Sequence, residues 1–169
     1  DKIQKKMVNP IWTNPKEMVF VSIFFDDYGH VYFASEKDIY QFKHHSTIDK
    51  LSLNFPKQTL NHPITDATFI NNEMWVVRSN PEIYIFEMKE SVPVRLKMFS
   101  QVYRGISFLR DPKIIMKSDT NTVWVGSRSD GIIKVDLTTK HYTKLDATSS
   151  NTSLKRPFVL SLFTDNQKN

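Results

Sequence analysis

VWVGSRSDGIIKVD, residues 123–136, is the stretch whose reading decides the fold. Val123, Trp124 and Val125 form a β-branched and aromatic run, Ser129-Asp130-Gly131 supplies turn chemistry, and Ile132, Ile133 and Val135 resume the apolar run. This pattern predicts two short antiparallel strands joined by a tight connection. Its weight comes from recurrence. The aromatics Tyr32, Trp75 and Trp124 are spaced by 43 and 49 residues, and the isoleucines Ile39, Ile83 and Ile132 by 44 and 49. Two independent markers thus keep one period, and about 40 to 50 residues per four-strand unit is the spacing of β-propeller blades.

Working outward, the same order of strands and turns can be followed along the chain. Strands are predicted at Met18 to Phe25, Val31 to Ala34, Ile39 to Phe42 and, more weakly, Ile48 to Leu53. The second unit runs through Ile64 to Ile70, Met74 to Val77, Ile83 to Phe86 and Val94 to Phe99. The third begins at Ile106 to Lys117, interrupted by Asp111-Pro112, and continues through Val123 to Gly126, Ile132 to Asp136 and Tyr142 to Leu145. A further first strand is predicted at Phe158 to Phe163. The expected fold is all-β: a propeller segment with blades at 18–53, 64–99 and 105–145 and a partial blade at 158–169. Because a closed propeller needs at least about four blades, the chain reads as part of a larger one.

Composition agrees with a folded β protein. The 169 residues are 40% hydrophobic and 12% aromatic, enough for a sizeable core. Tyr32, Trp75 and Trp124 are read as packing between neighbouring sheets, because they recur at one strand position. The net charge of +5 is dispersed, with no run of five basic residues, so no nucleic-acid footprint is predicted. The absence of cysteine excludes disulfides, thiol catalysis and Cys-ligated zinc. No apolar run approaches 18 residues. The chain starts at Asp1 without Met and reads as a processed or excised piece, so its lack of a signal-like segment does not place it.

Catalytic chemistry is thinly represented, and no catalytic residue, metal site or cofactor is predicted. His44 and His45 are adjacent in a strand-like context and point to opposite faces. His30 and His141 fall at turn or strand-start positions, and His62 precedes Pro63. Asp26-Asp27 resembles a glycosidase carboxylate pair in composition, but Asp and Asn there are better placed to accept local backbone N–H groups and start a turn. No nucleophile elbow, P-loop or dinucleotide fingerprint occurs.

The repeat resembles the two-component regulator propeller, found in extracytoplasmic sensor regions of hybrid two-component histidine kinases. VWVGSRSDGIIKVD matches it from strand to strand, including Gly126, Gly131 and Asp136, and SSNTSLKRPFVLSLFTDNQKN looks like the next lead. The earlier copies depart from it: Tyr32 replaces the usual Trp, Asn72 stands for the turn Gly, and Lys168 stands where the family has Gly. The resemblance implies a non-catalytic periplasmic sensor segment of an inner-membrane protein, with its kinase and membrane span outside this chain. It implies an oligosaccharide ligand and signalling through dimer geometry.

In a propeller the second-to-third strand turns and the blade-to-blade connectors share one rim. Candidate ligand-binding residues on that connector rim are Trp12, Arg78, Tyr103, Arg104, Arg128, Asp130 and Arg156, which combine planar donors with aromatic faces. Exposed sheet faces at the ends of an open arc also predict self-association into a homodimer or larger assembly. Two other readings stay open: a propeller glycosidase or lyase, and a protein-interaction scaffold.

Overall fold

A computed structural model describes residues 19–43, 47–105, 108–146 and 158–163. These carry three four-stranded antiparallel sheets, each in simple meander order. The first contains β1 (Phe20–Phe25), β2 (Val31–Ser35), β3 (Ile39–Lys43) and β4 (Thr47–Lys50). The second contains β5 (Ile64–Ile70), β6 (Glu73–Arg78), β7 (Ile83–Lys89) and β8 (Val92–Met98). The third contains β9 (Pro112–Lys117), β10 (Thr122–Ser127), β11 (Ile132–Asp136) and β12 (His141–Leu145). The strands β1, β5 and β9 pack side by side, so the sheets are arranged like consecutive blades of a propeller.

Strand alternation builds two sheet-to-sheet cores. Met74, Val76, Tyr84 and Phe86 point from the second sheet toward the first, where they meet Tyr32, Ala34 and Ile39. Trp75, Val77, Ile83 and Ile85 point the other way, against Val123, Val125, Ile133 and Val135. All the residues just named are at most 2% exposed. At about 25 cal/mol per Å² of apolar area removed from water, such two-faced central strands dominate stability.

The recurring aromatics share a register and a direction. Tyr32 and Trp75 are fully buried, each against the following sheet. Trp124 is half-buried on the opposite side of its sheet from Val123 and Val125, with Lys134 Nζ 5.7 Å from its ring centroid. It therefore does not pack between two of the three described sheets.

Each first strand also carries a bulge that the sequence pattern does not reveal. Pairing skips Val21 in β1, Thr65 in β5 and Lys113 in β9, one residue before Ser22, Asp66 and Ile114. The bulges in β1 and β5 turn polar side chains toward the next sheet. Ser22 Oγ donates to Ala67 O at 3.4 Å, and Asp66 Oδ2 accepts from Ile115 N at 2.9 Å. Ala67 and Ile115 hold equivalent register positions, so one polar link is repeated at both interfaces.

Several strand limits differ from expectation. β4 ends at Lys50, and Leu51 to Phe55 belong to a connector. Phe99 opens a single helical turn, α1 (Phe99–Val102), that buries its ring against Trp75 instead of extending β8. β9 starts at Pro112, where a missing N–H is harmless at a strand end. Residues 158–163 have no assigned strand, yet Val159 N donates to Ser127 O at 2.8 Å and the Val159 side chain lies over Gly126. A Cβ at Gly126 would come within 2.5 Å of that side chain.

Candidate functional site

The connector rim is best built up from the turn between β10 and β11. Ser127 Oγ accepts the backbone N–H groups of Ser129 and Asp130 at 3.1 and 3.0 Å, closing a local turn. Ser35 does the same for Lys37 and Asp38 in the first sheet. Gly131 completes the third-sheet turn at φ +88°, and a Cβ there would run into the Leu145 carbonyl.

This turn holds Asp130 in a cationic setting. Lys144 Nζ lies 2.8 Å from Asp130 Oδ1, the Arg110 N–H donates to Oδ2 at 3.2 Å, and the Arg110 guanidinium stands 3.9 Å away. Arg128 is exposed beside it, fixed by its N–H to Asp111 O at 3.2 Å. Asp130 thus orients Lys144 and the Arg110 backbone, Lys144 also lies 3.6 Å from Asp146 Oδ2, and the Arg128 side chain stands exposed on the same turn. Such a set can hold hydroxyls and carboxylates of a ligand by charge-assisted hydrogen bonds.

Of the seven candidates, Arg128 and Asp130 meet at this place. Arg78 stands on the same rim but is 1% exposed and serves the fold. Its Nε donates to His62 O at 2.7 Å, Nη2 reaches Leu60 O at 3.4 Å, and the guanidinium lies 4.5 Å over the Phe55 ring. Burial pushes its pKa down, against the nearby Tyr84 and Asp38. Arg78 therefore staples the connector 51–63 onto the second sheet, where Ser35 and Ser127 occupy the equivalent register in the other two.

Tyr103 and Arg104 are displaced to the other end of the third sheet. The connector after α1 runs back along β12: Arg104 N donates to Lys140 O, and Tyr142 N donates to Arg104 O, both at 2.9 Å. Lys140 follows β11, whereas Arg128 precedes it, so the five-residue strand separates the two groups by about 13 Å at ~3.3 Å per residue. Tyr103 is also core, 3% exposed and stacked on Phe99 at 4.7 Å. Burial, followed by the charge of Glu73, pushes its phenol pKa well up. Sequence order alone placed this pair on the connector rim, and the doubled-back connector removes it. Trp12 and Arg156 lie outside the described residues, as do His44 and His45.

Arg110 and Lys144 were missed in the sequence. The only signal for Arg110 was its place before Asp111-Pro112 at a strand start; Lys144 sits in an alternating polar strand with nothing to mark it. On the first sheet, a shallow cleft of about 180 Å³ lies between the turn at Lys37-Asp38 and the connector at Leu53 and Phe55, crossed by a Lys50–Asp38 ion pair of 2.8 Å. It is smaller than the ~300 Å³ at which ligand pockets begin.

The opposite rim is built for turns. Asp26 Oδ1 accepts Tyr28 N and His30 N at 3.0 and 2.9 Å, while Oδ2 lies 2.7 Å from His30 Nδ1 and accepts from Tyr32 Oη at 3.2 Å. Burial pushes its pKa up, but the His30 and Tyr28 hydrogen bonds outweigh this and leave it below the ordinary value. Asp119 repeats the motif by accepting Asn121 N at 2.7 Å. These carboxylates are turn-formers, as their sequence context indicated. Among the described residues, no group of three or more His, Asp or Glu could hold a metal, and no helix is long and apolar enough to cross a membrane.

No protein-family model and no curated protein matches this chain. Its fold is similar to that of the extracellular domain assigned to system BT4673 of B. thetaiotaomicron, with a TM-score of 0.65 and 14% identity over 90% of this chain and 19% of that one. The extracellular domain assigned to the hybrid two-component system BT3049 of B. thetaiotaomicron gives 0.61 and 15% over 83% of this chain and 20% of the other. The chain therefore spans about a fifth of these domains. YCF48 from Cyanidioschyzon merolae gives 0.54 and 10%, over 78% of this chain and 41% of that one. At such identities the likeness is one of fold, that of a β-propeller segment.

Proposed function

We propose that this chain is a ligand-sensing segment, without catalysis of its own, of a periplasmic two-component sensor. The observation that supports it best is the fold likeness over 83–86% of the chain to extracellular domains assigned to hybrid two-component systems. The ligand is an oligosaccharide, held on the connector rim of the third sheet, and the exposed guanidinium groups of Arg110 and Arg128, beside a Lys144 already paired with Asp130 and Asp146, favour sugars that carry carboxylates. Binding alters the geometry of a dimer of the full-length protein, which couples the rim to a signal across the membrane. The kinase belongs to the rest of that protein.

Calorimetric titration with a panel of acidic and neutral oligosaccharides tests the reading. Binding of an acidic member, lost in Arg128→Ala and in Arg110→Ala with the fold intact, is the expected outcome. Equal binding by wild type and both variants, or no binding by any member, refutes the rim assignment. Arg78 and Tyr103 are unsuitable probes because both are core residues. A protein-interaction role is the second reading, since YCF48 is known in a structure bound to D1 peptide. Capture of a peptide with no response to glycans would favour it.

A further inference from the structure

Arg78 is a buried cation with no carboxylate bonded to it among the described residues. Its Nε and Nη2 are taken by the carbonyls of His62 and Leu60, over the Phe55 ring, but Nη1 has no hydrogen-bond partner. The carboxylate whose charge reaches the guanidinium is that of Asp38, and it already binds Lys50 Nζ at 2.8 Å. A buried charge is ordinarily paired, because its desolvation is otherwise uncompensated. Arg78 holds the connector and still lacks a counter-ion of its own.

The cleft of about 180 Å³ on the first sheet borders this cation. Phe55, beneath the guanidinium, and Leu60, whose carbonyl takes Nη2, both line it, as does Asp38. Lys37 and Lys50 line it too, so with Arg78 behind Phe55 the positive charges outnumber the one carboxylate of Asp38. Register relates this cleft to the rest of the rim. Lys50 and Lys144 hold equivalent positions, opposite Tyr40 and Ile133, and each binds an aspartate of the adjoining turn at 2.8 Å. In the second sheet that position is Met98, opposite Tyr84. The Lys–Asp pair of the first sheet differs from that of the third in standing beside a buried guanidinium with a free N–H group. We propose that the cleft binds one carboxylate group, which takes the place of Asp38 on Lys50 and supplies the counter-charge that Arg78 lacks. Its volume suits a sugar acid or a single uronate of a longer ligand, not a whole oligosaccharide. The groups involved lie in the first two sheets and the connector between them, and the site is separate from Arg110 and Arg128 on the third sheet.

Calorimetric titration of the chain with galacturonate, trigalacturonate and galactose tests it, at about 150 mM salt, where attraction to exposed lysines alone is largely screened. Galacturonate should bind and galactose should not. Lys50→Gln should weaken binding and Asp38→Asn should tighten it, each by about fivefold, the effect of one charge at contact distance in water. Neither side chain belongs to the core, and circular dichroism checks that both variants keep the fold. Galacturonate bound as tightly as trigalacturonate assigns the cleft to a free sugar acid. Trigalacturonate bound more tightly, and weakened by both Lys50→Gln and Arg128→Ala, assigns it to one uronate of a longer ligand. No binding of galacturonate, equal binding of galactose, or indifference to Asp38→Asn overturns the inference. Binding weakened by Arg128→Ala and not by Lys50→Gln also overturns it, because the carboxylate would then sit at the third sheet.

Discussion

Replacing Asp66 by Asn probes the link between the second and third sheets with almost no change of shape. Asp66 Oδ1 accepts the Ala67 N–H and Oδ2 accepts the Ile115 N–H, both at 2.9 Å, so each oxygen serves a backbone donor. An asparagine retains one oxygen and must set its NH₂ against the other donor. Leaving a buried N–H without an acceptor costs about 1–3 kcal/mol, and partial burial of this site favours the lower half of that range. The cost depends on pH in a defined direction. Burial pushes the Asp66 carboxyl up, and its hydrogen bonds with Ser22, Ile115 and Ala67 offset this only in part. A folded-state pKa above the unfolded value of about 3.9 means that the native state binds the proton more tightly. Wild-type stability from this group is therefore full below about pH 4 and is lost as pH rises through the raised value. The substituted amide does not titrate. Urea denaturation should show an Asp66→Asn deficit of about 1–2 kcal/mol at pH 7, where both oxygens are acceptors, and a larger one near pH 4. With a urea m-value of about 1–3 kcal/mol/M, the midpoint at pH 7 falls by roughly 0.5–1 M. A deficit that grows with pH, or none at either pH, would refute the assignment of Asp66 as a buried link between sheets.

Arg78→Lys should destabilise the chain by about 2 kcal/mol, because an ammonium cannot reproduce the paired donation to His62 O and Leu60 O over the Phe55 ring; thermal denaturation would show it, and an unchanged melting temperature would contradict the staple. Gly131→Ala adds a side chain at φ +88° against the Leu145 carbonyl, so a loss of about 1–3 kcal/mol is expected and a neutral result would mean that the turn relaxes. Asp26 has a depressed folded pKa, so its contribution is present above about pH 3.9 and is lost as pH falls through the lower value. Asp26→Asn should therefore flatten the acid limb of the stability profile below about pH 4, measurable by urea titration at each pH.

The sheets were legible because their cores repeat. Tyr32, Trp75 and Trp124, with Ile39, Ile83 and Ile132, fixed the period from residue type alone; in the first two sheets these positions face a neighbouring sheet, which tolerates little else. Turns were less legible. Asn71-Asn72 adopts two successive positive φ angles, as its composition allows, but Glu90-Ser91 does the same at +50° and +64° with residues that give no warning. There the pairing of β7 with β8 imposes the turn. The site was the least legible part. Arg78 and Arg128 look alike in sequence, yet one is sealed under a connector and the other is in solvent, because burial was decided by Phe55, Leu60 and His62 some twenty residues away. Tyr103 and Arg104 were misplaced for a related reason: periodicity carries no information about where a connector of irregular structure runs.

The inter-sheet link makes the third sheet different from the others in a way that bears on its ends. Ser22 and Asp66 each send a polar group from a bulged first strand to the backbone of the following sheet. The same position in β9 is Ile114, whose side chain lies beside Gly126 and Val159. An isoleucine cannot continue the polar link, so whatever covers that face is held by packing and by the backbone of β10, as Val159 is through Ser127 O. Lys134, where the second sheet has Ile85, weakens the apolar surface further. The forward face of the third sheet is therefore a weaker version of the two interfaces formed within the chain. A contact made there should exchange more readily than they do, and beside it on the rim stand Arg128 and Asp130, on the turn that leads from β10 to β11.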